Sequence, residues 1–408
     1  MPSFSVDCRL RSHAVAGIFR MRGSTSLKTV PYVRLSAFYF FWFATLGAVL
    51  PYWGLYLLEL GFQKFQIGVI FATMMGAKMV APVLWGWIAD HYGGRLLIIR
   101  AASAGSIAAF LVMMQTTSFW PMFAATLIYA FFWNASLPQF EAVTLNRLGE
   151  AEHQYGRIRL WGSVGFIASV LGLAPIVQHL GVPHVLLWIL VCLIGILAVS
   201  LTVDSHGEQI SEAPEAGAGF WSVLRRTEVW SLLLVCFLAQ LSHGPYYTFF
   251  SIYLKDAGYP EEWIGMLWAL GVAAEIAVFV ALPRLMQRLG AYRLMSLALA
   301  VTAVRWLLLA KFVDSIWMLI LIQLMHLATF GIYHAVAVSL IHGLFQGRLQ
   351  GRGQALYSAI SFGAGGAAGA LLSGWLWESW GAAPVFAAAG GVAILAWLVA
   401  LRGLRRQA

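Results

Sequence analysis

Twelve long apolar runs, each bounded by charge, Gly or Pro, dominate the chain. They fall near 31–58, 66–89, 94–115, 119–146, 157–179 and 183–203, then 228–254, 263–283, 291–310, 315–343, 353–378 and 383–403. A hydrocarbon layer about 30 Å thick needs roughly 20 apolar residues in helical form, so each run is long enough to cross a membrane. Only helices or closed barrels satisfy every backbone polar group inside lipid, and the runs are too long and too uniform for barrel strands. Charged residues make up 11% of the 408 and hydrophobic ones 61%, against about 25% charged in soluble domains. A soluble enzyme is therefore excluded, and an all-α membrane protein of twelve spanning helices is expected.

The longest polar interruption, Asp204 to Arg226, contains SHGEQISEAPEAGAG, which cannot pack a core and reads as a flexible linker. The chain divides accordingly into a basic tail over 1–30, a six-helix bundle over 31–203, a linker over 204–227, a second bundle over 228–403 and a tail over 404–408. Lys and Arg place 21 of their 26 members on one side of the alternating loops and three on the other, leaving Lys78 and Arg305 inside the apolar layer. By the positive-inside rule both termini and the linker are cytoplasmic. The net charge of +9 thus serves topology, and no nucleic-acid partner is expected. No apolar leader core stands in the first 30 residues, so no cleaved signal is expected, and Met21 is an alternative start. Cys8, Cys192 and Cys236 have neither disulfide nor metal-ligand spacing.

The two halves repeat at a constant offset of 197: Gly61, Gly68 and Gly93 fall on Gly258, Gly265 and Gly290. The same offset relates Lys78 to Glu275. Charge at a helix centre in lipid costs about 2.5 to 3.5 kcal/mol on insertion scales, so such residues mark function or pairing. Lys78 and Glu275 should lie at matching depth and face one another, either as substrate cation and proton-exchanging carboxyl or as a salt bridge holding the halves together. A fixed cation suits a carboxylate, and a carboxyl enclosed in an apolar cleft can exchange protons near neutral pH. An aromatic acid also needs ring faces, for which Tyr52, Trp53, Tyr246, Tyr247, Trp268 and Tyr333 are the candidates. His334, eight residues beyond His326, lies about 80° from it on an ideal helix, so the two should not share a stripe. His243 and Glu141 are further intramembrane polar residues; Glu141 reads equally as a partner of Arg157 or Arg159 near the surface.

Two parallel six-helix repeats joined by a linker resemble the major facilitator superfamily. The segment GWIADHYGGR, with Gly86, Asp90, Gly93 and Arg95, is close to that superfamily's GxxxD(R/K)xGR(R/K) signature. There the Asp implies a charge latch between halves; here His91 replaces a basic residue and Gln287 stands at the repeated Asp position. YGRIRLWGS from Tyr155 to Ser163 and GMLWALGVAAE ending at Glu275 resemble the phenylpropionate permease branch, which is related to galactoside and nucleoside proton symporters. The resemblance implies inner-membrane uptake of a small organic solute with H⁺ by alternating access, in this branch an aromatic carboxylate such as 3-phenylpropionate. It also implies a substrate site at the midplane, proton coupling through Glu275, Arg305 and His326, and a latch or surface-anchor role for Arg157 and Arg159. The cargo is expected to be an organic anion, the driving force the proton gradient with no cofactor, and the protein a monomer in the lipid bilayer. A nucleoside or oligosaccharide cargo is the first alternative and a non-transporting sensor or structural membrane protein the second. The chain carries no GxxxxGK[ST] phosphate loop, so neither enzyme nor ATP-driven pump is expected.

Overall fold

The computed structural model describes residues 31–204 and 219–404. The expected N-tail, residues 205–218 of the linker and residues 405–408 lie outside it. Twelve long helices form the described chain: α1 Tyr32–Glu59, α2 Lys64–Tyr92, α3 Arg95–Met113, α4 Phe119–Leu148, α5 Tyr155–Leu180, α6 His184–Thr202, α7 Thr227–Asp256, α8 Glu261–Leu289, α9 Ala291–Lys311, α10 Ile316–Leu344, α11 Gln350–Trp380 and α12 Ala382–Gly403. Eleven are long and apolar enough to cross a membrane. The other, α4, is as long but is diluted by Asn134, Ser136, Gln139 and Glu141. The described part of the linker is not wholly extended: Gly219–Leu224 forms a short helix. Phe220 gives it a foothold, its ring 5.8 Å from Phe345 and under the Arg352 guanidinium.

The repeated glycines have physical reasons. Gly61 and Gly258 take φ of +85° and +84°, and Gly93 and Gly290 take +68° and +74°. Only a residue without Cβ adopts that region freely, so these glycines end matching helices. Gly68 and Gly265 instead permit close crossings. A Cβ on Gly68 would lie 2.7 Å from the Ala370 carbonyl oxygen of α11, and one on Gly265 would lie 2.8 Å from Ala174 Cβ of α5.

Packing repeats as well. In the first six helices α1 packs on α5 and α6, α3 on α4 and α6, and α2 on α4; in the last six α7 packs on α11 and α12, α9 on α10 and α12, and α8 on α10. Two symmetry-matched crossings, α2 on α11 and α5 on α8, join the halves. Cross-half bonds concentrate at the end away from residues 31 and 404, termed here the far end. There Lys64 meets Asp256 at 3.9 Å, the Phe65 amide donates to Glu378 Oε1 at 2.9 Å, and the Glu262 amide donates to Gln178 Oε1 at 3.3 Å. At the terminal end Arg34 Nη1 donates to the Thr202 carbonyl of its own half at 2.6 Å. The halves are thus tied together at the far end.

Candidate functional site

Residue 78 lies midway along α2 and residue 275 midway along α8, so both reach the centre of the apolar layer. No ion pair joins them. Glu275 Oε1 is held by His326 Nε2 of α10 at 2.6 Å, whereas Lys78 Nζ donates to Met75 Sδ at 3.5 Å and stands 6.0 Å from the Phe362 ring centre of α11. Among the described residues no carboxylate lies within 4 Å of Lys78.

Behind Glu275 stands Arg305 of α9, completely buried. Each of its nitrogens donates to α10: Nε on the Ile322 carbonyl at 2.9 Å, Nη1 on His326 Nδ1 and Thr329 Oγ1 at 2.8 Å each, and Nη2 on Gln323 Oε1 at 3.2 Å. A guanidinium only donates, so Nδ1 of His326 must accept. The imidazole is then neutral, with its proton on Nε2, the nitrogen aimed at Glu275. Arg305 does not bond Glu275 itself; it acts through the ring between them. His326 thus holds and positions the Glu275 carboxyl.

Helix α10 passes this point in a widened π turn, Leu327–Ile332. An i→i+5 turn absorbs one extra residue, which brings His334 round onto the stripe of His326 and corrects the ideal-helix expectation. The rings of His326, Phe330 and His334 form a parallel ladder, with centroids 5.6 and 5.5 Å apart and planes within 15°. Phe362 closes on His334 at 5.5 Å and on Phe330 at 6.3 Å, and His334 Nδ1 is 2.9 Å from the Tyr357 hydroxyl. An aromatic wall thus separates Lys78 from the Glu275–His326 pair. Gly331 lets α10 approach α8, since a Cβ there would meet Val278 at 2.8 Å and Glu275 Cγ at 3.6 Å.

The expected ring candidates divide. Tyr246 packs 4.8 Å from Trp268 and 5.5 Å from His326 and donates to Gln323 Oε1 at 3.0 Å. Trp268 Nε1 donates to Ser251 Oγ. Both support the Arg305 cluster from behind, being buried. Tyr247 is partly exposed and lies 6.4 Å from Phe330. Tyr52, Trp53 and Tyr333 are enclosed in helix packing instead: Tyr52 donates to the Val170 carbonyl at 2.9 Å, Trp53 packs on Tyr56 and Phe110, and Tyr333 donates to the Cys236 carbonyl at 3.3 Å. His243 is buried, its Nδ1 on the Ala239 carbonyl and its ring edge-on to Trp306.

Arg157 and Arg159 part company. Two residues on a helix span about 200°, and only Arg157 is exposed, its carbonyl accepting from the Tyr32 hydroxyl. Arg159 is half-buried and is the one of the two that pairs with Glu141, the partnership the sequence offered. Its guanidinium lies 4.0 Å from the Phe43 ring centre, its Nε is 3.9 Å from Glu141 Oε1, and the Tyr155 hydroxyl also donates to Glu141 at 3.4 Å. The i, i+2 spacing held this split, and the sequence reading passed over it; Phe330 and Phe362 gave no signal distinct from lipid-facing aromatics.

The latch segment is engaged within its own half. Asp90 Oδ1 receives Arg95 Nη2 at 2.5 Å and Arg95 Nη1 donates to Gln139 Oε1 at 2.6 Å. Gly86 lies against Gln139, and Gly93 ends α2.

Two matched helix bundles, tied together at one end and each carrying a charged side chain at mid-depth, define a secondary transporter of the major facilitator kind rather than an enzyme. The chain belongs to the MFS_1 like family, whose model matches residues 32–388. It is 28% identical over 357 residues to the "Probable 3-phenylpropionic acid transporter" of Escherichia coli (strain K12), covering 83% of this chain and 89% of that one. It is 27% identical over 369 residues to the maltose permease of Geobacillus stearothermophilus, covering 88% and 90%. The crystal structure of the nucleoside transporter NupG superposes with a TM-score of 0.82 at 16% identity, covering 92% of this chain and 99% of that one. Family membership sets aside the reading as a non-transporting sensor.

Proposed function

We propose that this protein takes up a small aromatic carboxylate, such as 3-phenylpropionate, together with H⁺. The observation that carries the reading is the division of labour at mid-depth: Glu275 is held by a neutral imidazole, while Lys78 has no carboxylate within 4 Å among the described residues. A free ammonium in an apolar layer favours an anion, and substrate is the one that can come and go. The carboxylate docks on Lys78 as on a point charge, and the ring lies along Phe362, Phe330 and His334. Glu275 carries the proton. With Glu275 neutral and Lys78 paired, neither of these two residues carries an uncompensated charge to oppose the rocking of one half on the other; with one loaded and the other empty, the step is costly. The relative named for 3-phenylpropionic acid supports this cargo.

The excess of Lys and Arg supports cytoplasmic termini in an inner membrane. The proton gradient then supplies the energy without a cofactor, and one chain holds the complete path.

A second reading is favoured by one feature, the Glu141–Arg159 pair with Tyr155, which offers acceptor and donors together as a neutral hydroxylated solute requires. The maltose permease and NupG likenesses agree with a sugar or nucleoside.

Uptake of labelled 3-phenylpropionate, maltose and uridine into proteoliposomes under an inward-directed pH gradient decides between them, with protein-free liposomes beside them because the weak acid crosses lipid unaided. Phenylpropionate accumulation above that control, abolished by a protonophore, is expected. Accumulation of maltose or uridine alone would overturn the carboxylate reading.

A further inference from the structure

We infer that the outer face of the second half, between α9 and α12 at the terminal end, is a binding site for one anionic phospholipid. A groove of about 540 Å³ runs there, within the usual size range of small-molecule sites. Leu297 and Ala300 of α9 and Trp397, Ala400 and Leu401 of α12 form its apolar walls, and Arg293 stands in its mouth. The alanines leave the groove deep where larger side chains would fill it. Trp397 is fixed by its Nε1 donating to Ser296 Oγ at 2.8 Å, so the wall is rigid rather than a gap that collapses.

Arg293 is the third residue of α9 and is exposed, while Ala300 lies seven residues deeper, about 10 Å along the helix. That spacing sets a cation at headgroup level above a slot at acyl level. Arg402, exposed in the last turn of α12, adds positive charge at the same end. Arg293 over an apolar slot complements a lipid with an anionic head and a hydrocarbon tail, and basic pockets between spanning helices on the cytoplasmic side suit such heads. The contacts of α9 and α12 are with helices of their own half, which leaves this face to the bilayer. The site is separate from the Glu275 centre.

The test is native mass spectrometry of delipidated protein in detergent, offered palmitoyl-oleoyl phosphatidylglycerol or the phosphatidylcholine of the same chains. One phosphatidylglycerol per chain is expected, retained at least tenfold more tightly than phosphatidylcholine. Arg293→Gln should reduce retention to the phosphatidylcholine level, and Ala300→Phe, which fills the slot, should abolish both. Inorganic phosphate should leave the lipid count unchanged; displacement by phosphate would assign the mouth to a free anion and overturn the lipid site. Equal retention of the two lipids, or retention unaltered in Arg293→Gln, would overturn it too. Arg293 is exposed, so that variant keeps the test decisive even where Ala300→Phe fails to fold.

Discussion

His326 and His334 stand on one face of α10 although eight residues separate them, because the π turn Leu327–Ile332 between them takes up one residue. The ring ladder, and with it the alignment of His326 on Glu275, depends on that widened turn. Inserting one alanine after Ala328 adds a residue that the widened turn does not absorb and rotates one imidazole by about 100° relative to the other. Proton-driven accumulation should fall at least tenfold while the protein still elutes as a folded species on size exclusion. Unchanged accumulation would show that the ladder plays no part in coupling.

Glu275→Gln keeps the shape of the side chain and its bond to His326 but cannot release a proton. Uphill uptake driven by a pH gradient should be lost, while exchange of labelled for unlabelled substrate across the membrane persists. Gradient-driven accumulation at the wild-type level would remove Glu275 as the proton carrier.

Lys78→Ala should weaken binding of an aromatic carboxylate by ten- to a hundredfold, since a hydrogen bond to a charged group contributes about 1.5 to 3 kcal/mol. Lys78→Arg should restore most of it. Isothermal titration with 3-phenylpropionate measures both, and equal affinity in wild type and Lys78→Ala would place the carboxylate elsewhere.

Gly68→Leu places a side chain where a Cβ alone would be 2.7 Å from the Ala370 carbonyl oxygen. Backbone stands there, so α2 and α11 must separate and the far end must open. Cysteines introduced as Lys64→Cys and Asp256→Cys, which replace a 3.9 Å ion pair, should cross-link rapidly in the parent and at least tenfold more slowly with Gly68→Leu. Equal rates would mean that the crossing tolerates bulk without opening.

Arg305→Met leaves His326 Nδ1, Thr329, Gln323 and the Ile322 carbonyl without their donor. Stability should fall by about 3 kcal/mol or more, at about 1 to 3 kcal/mol for each unsatisfied buried group. Denaturant unfolding in detergent reads this, and a loss under 1 kcal/mol would mean that water replaces the guanidinium.

Chain periodicity located every spanning helix to within a few residues, because in lipid a backbone must satisfy itself and an apolar run of the right length has one solution. The greatest miss, 283 against Leu289 at the end of α8, arises where Arg284 and Arg288 ended the apolar run but not the helix. The repeat was equally plain, since glycine at a helix stop or a close crossing has no substitute. The sequence also picked out Glu275, Arg305 and His326 as polar residues that lipid would not tolerate alone.

Partnership was another matter. Lys78 and Glu275 share an offset and a depth, yet they take different partners, because depth follows from helix position whereas contact follows from rotation about each axis. In α10 one widened turn changed the rotation of His334 relative to His326, and no local signal announced it. Likewise Arg157 and Arg159 look alike as sequence and differ only in which face of α5 each occupies. What the chain alone determined was therefore everything set by the one-dimensional match of apolar length to bilayer thickness. Which side chains meet was decided by the angles at which packed helices present them, and those angles exist only in the folded molecule.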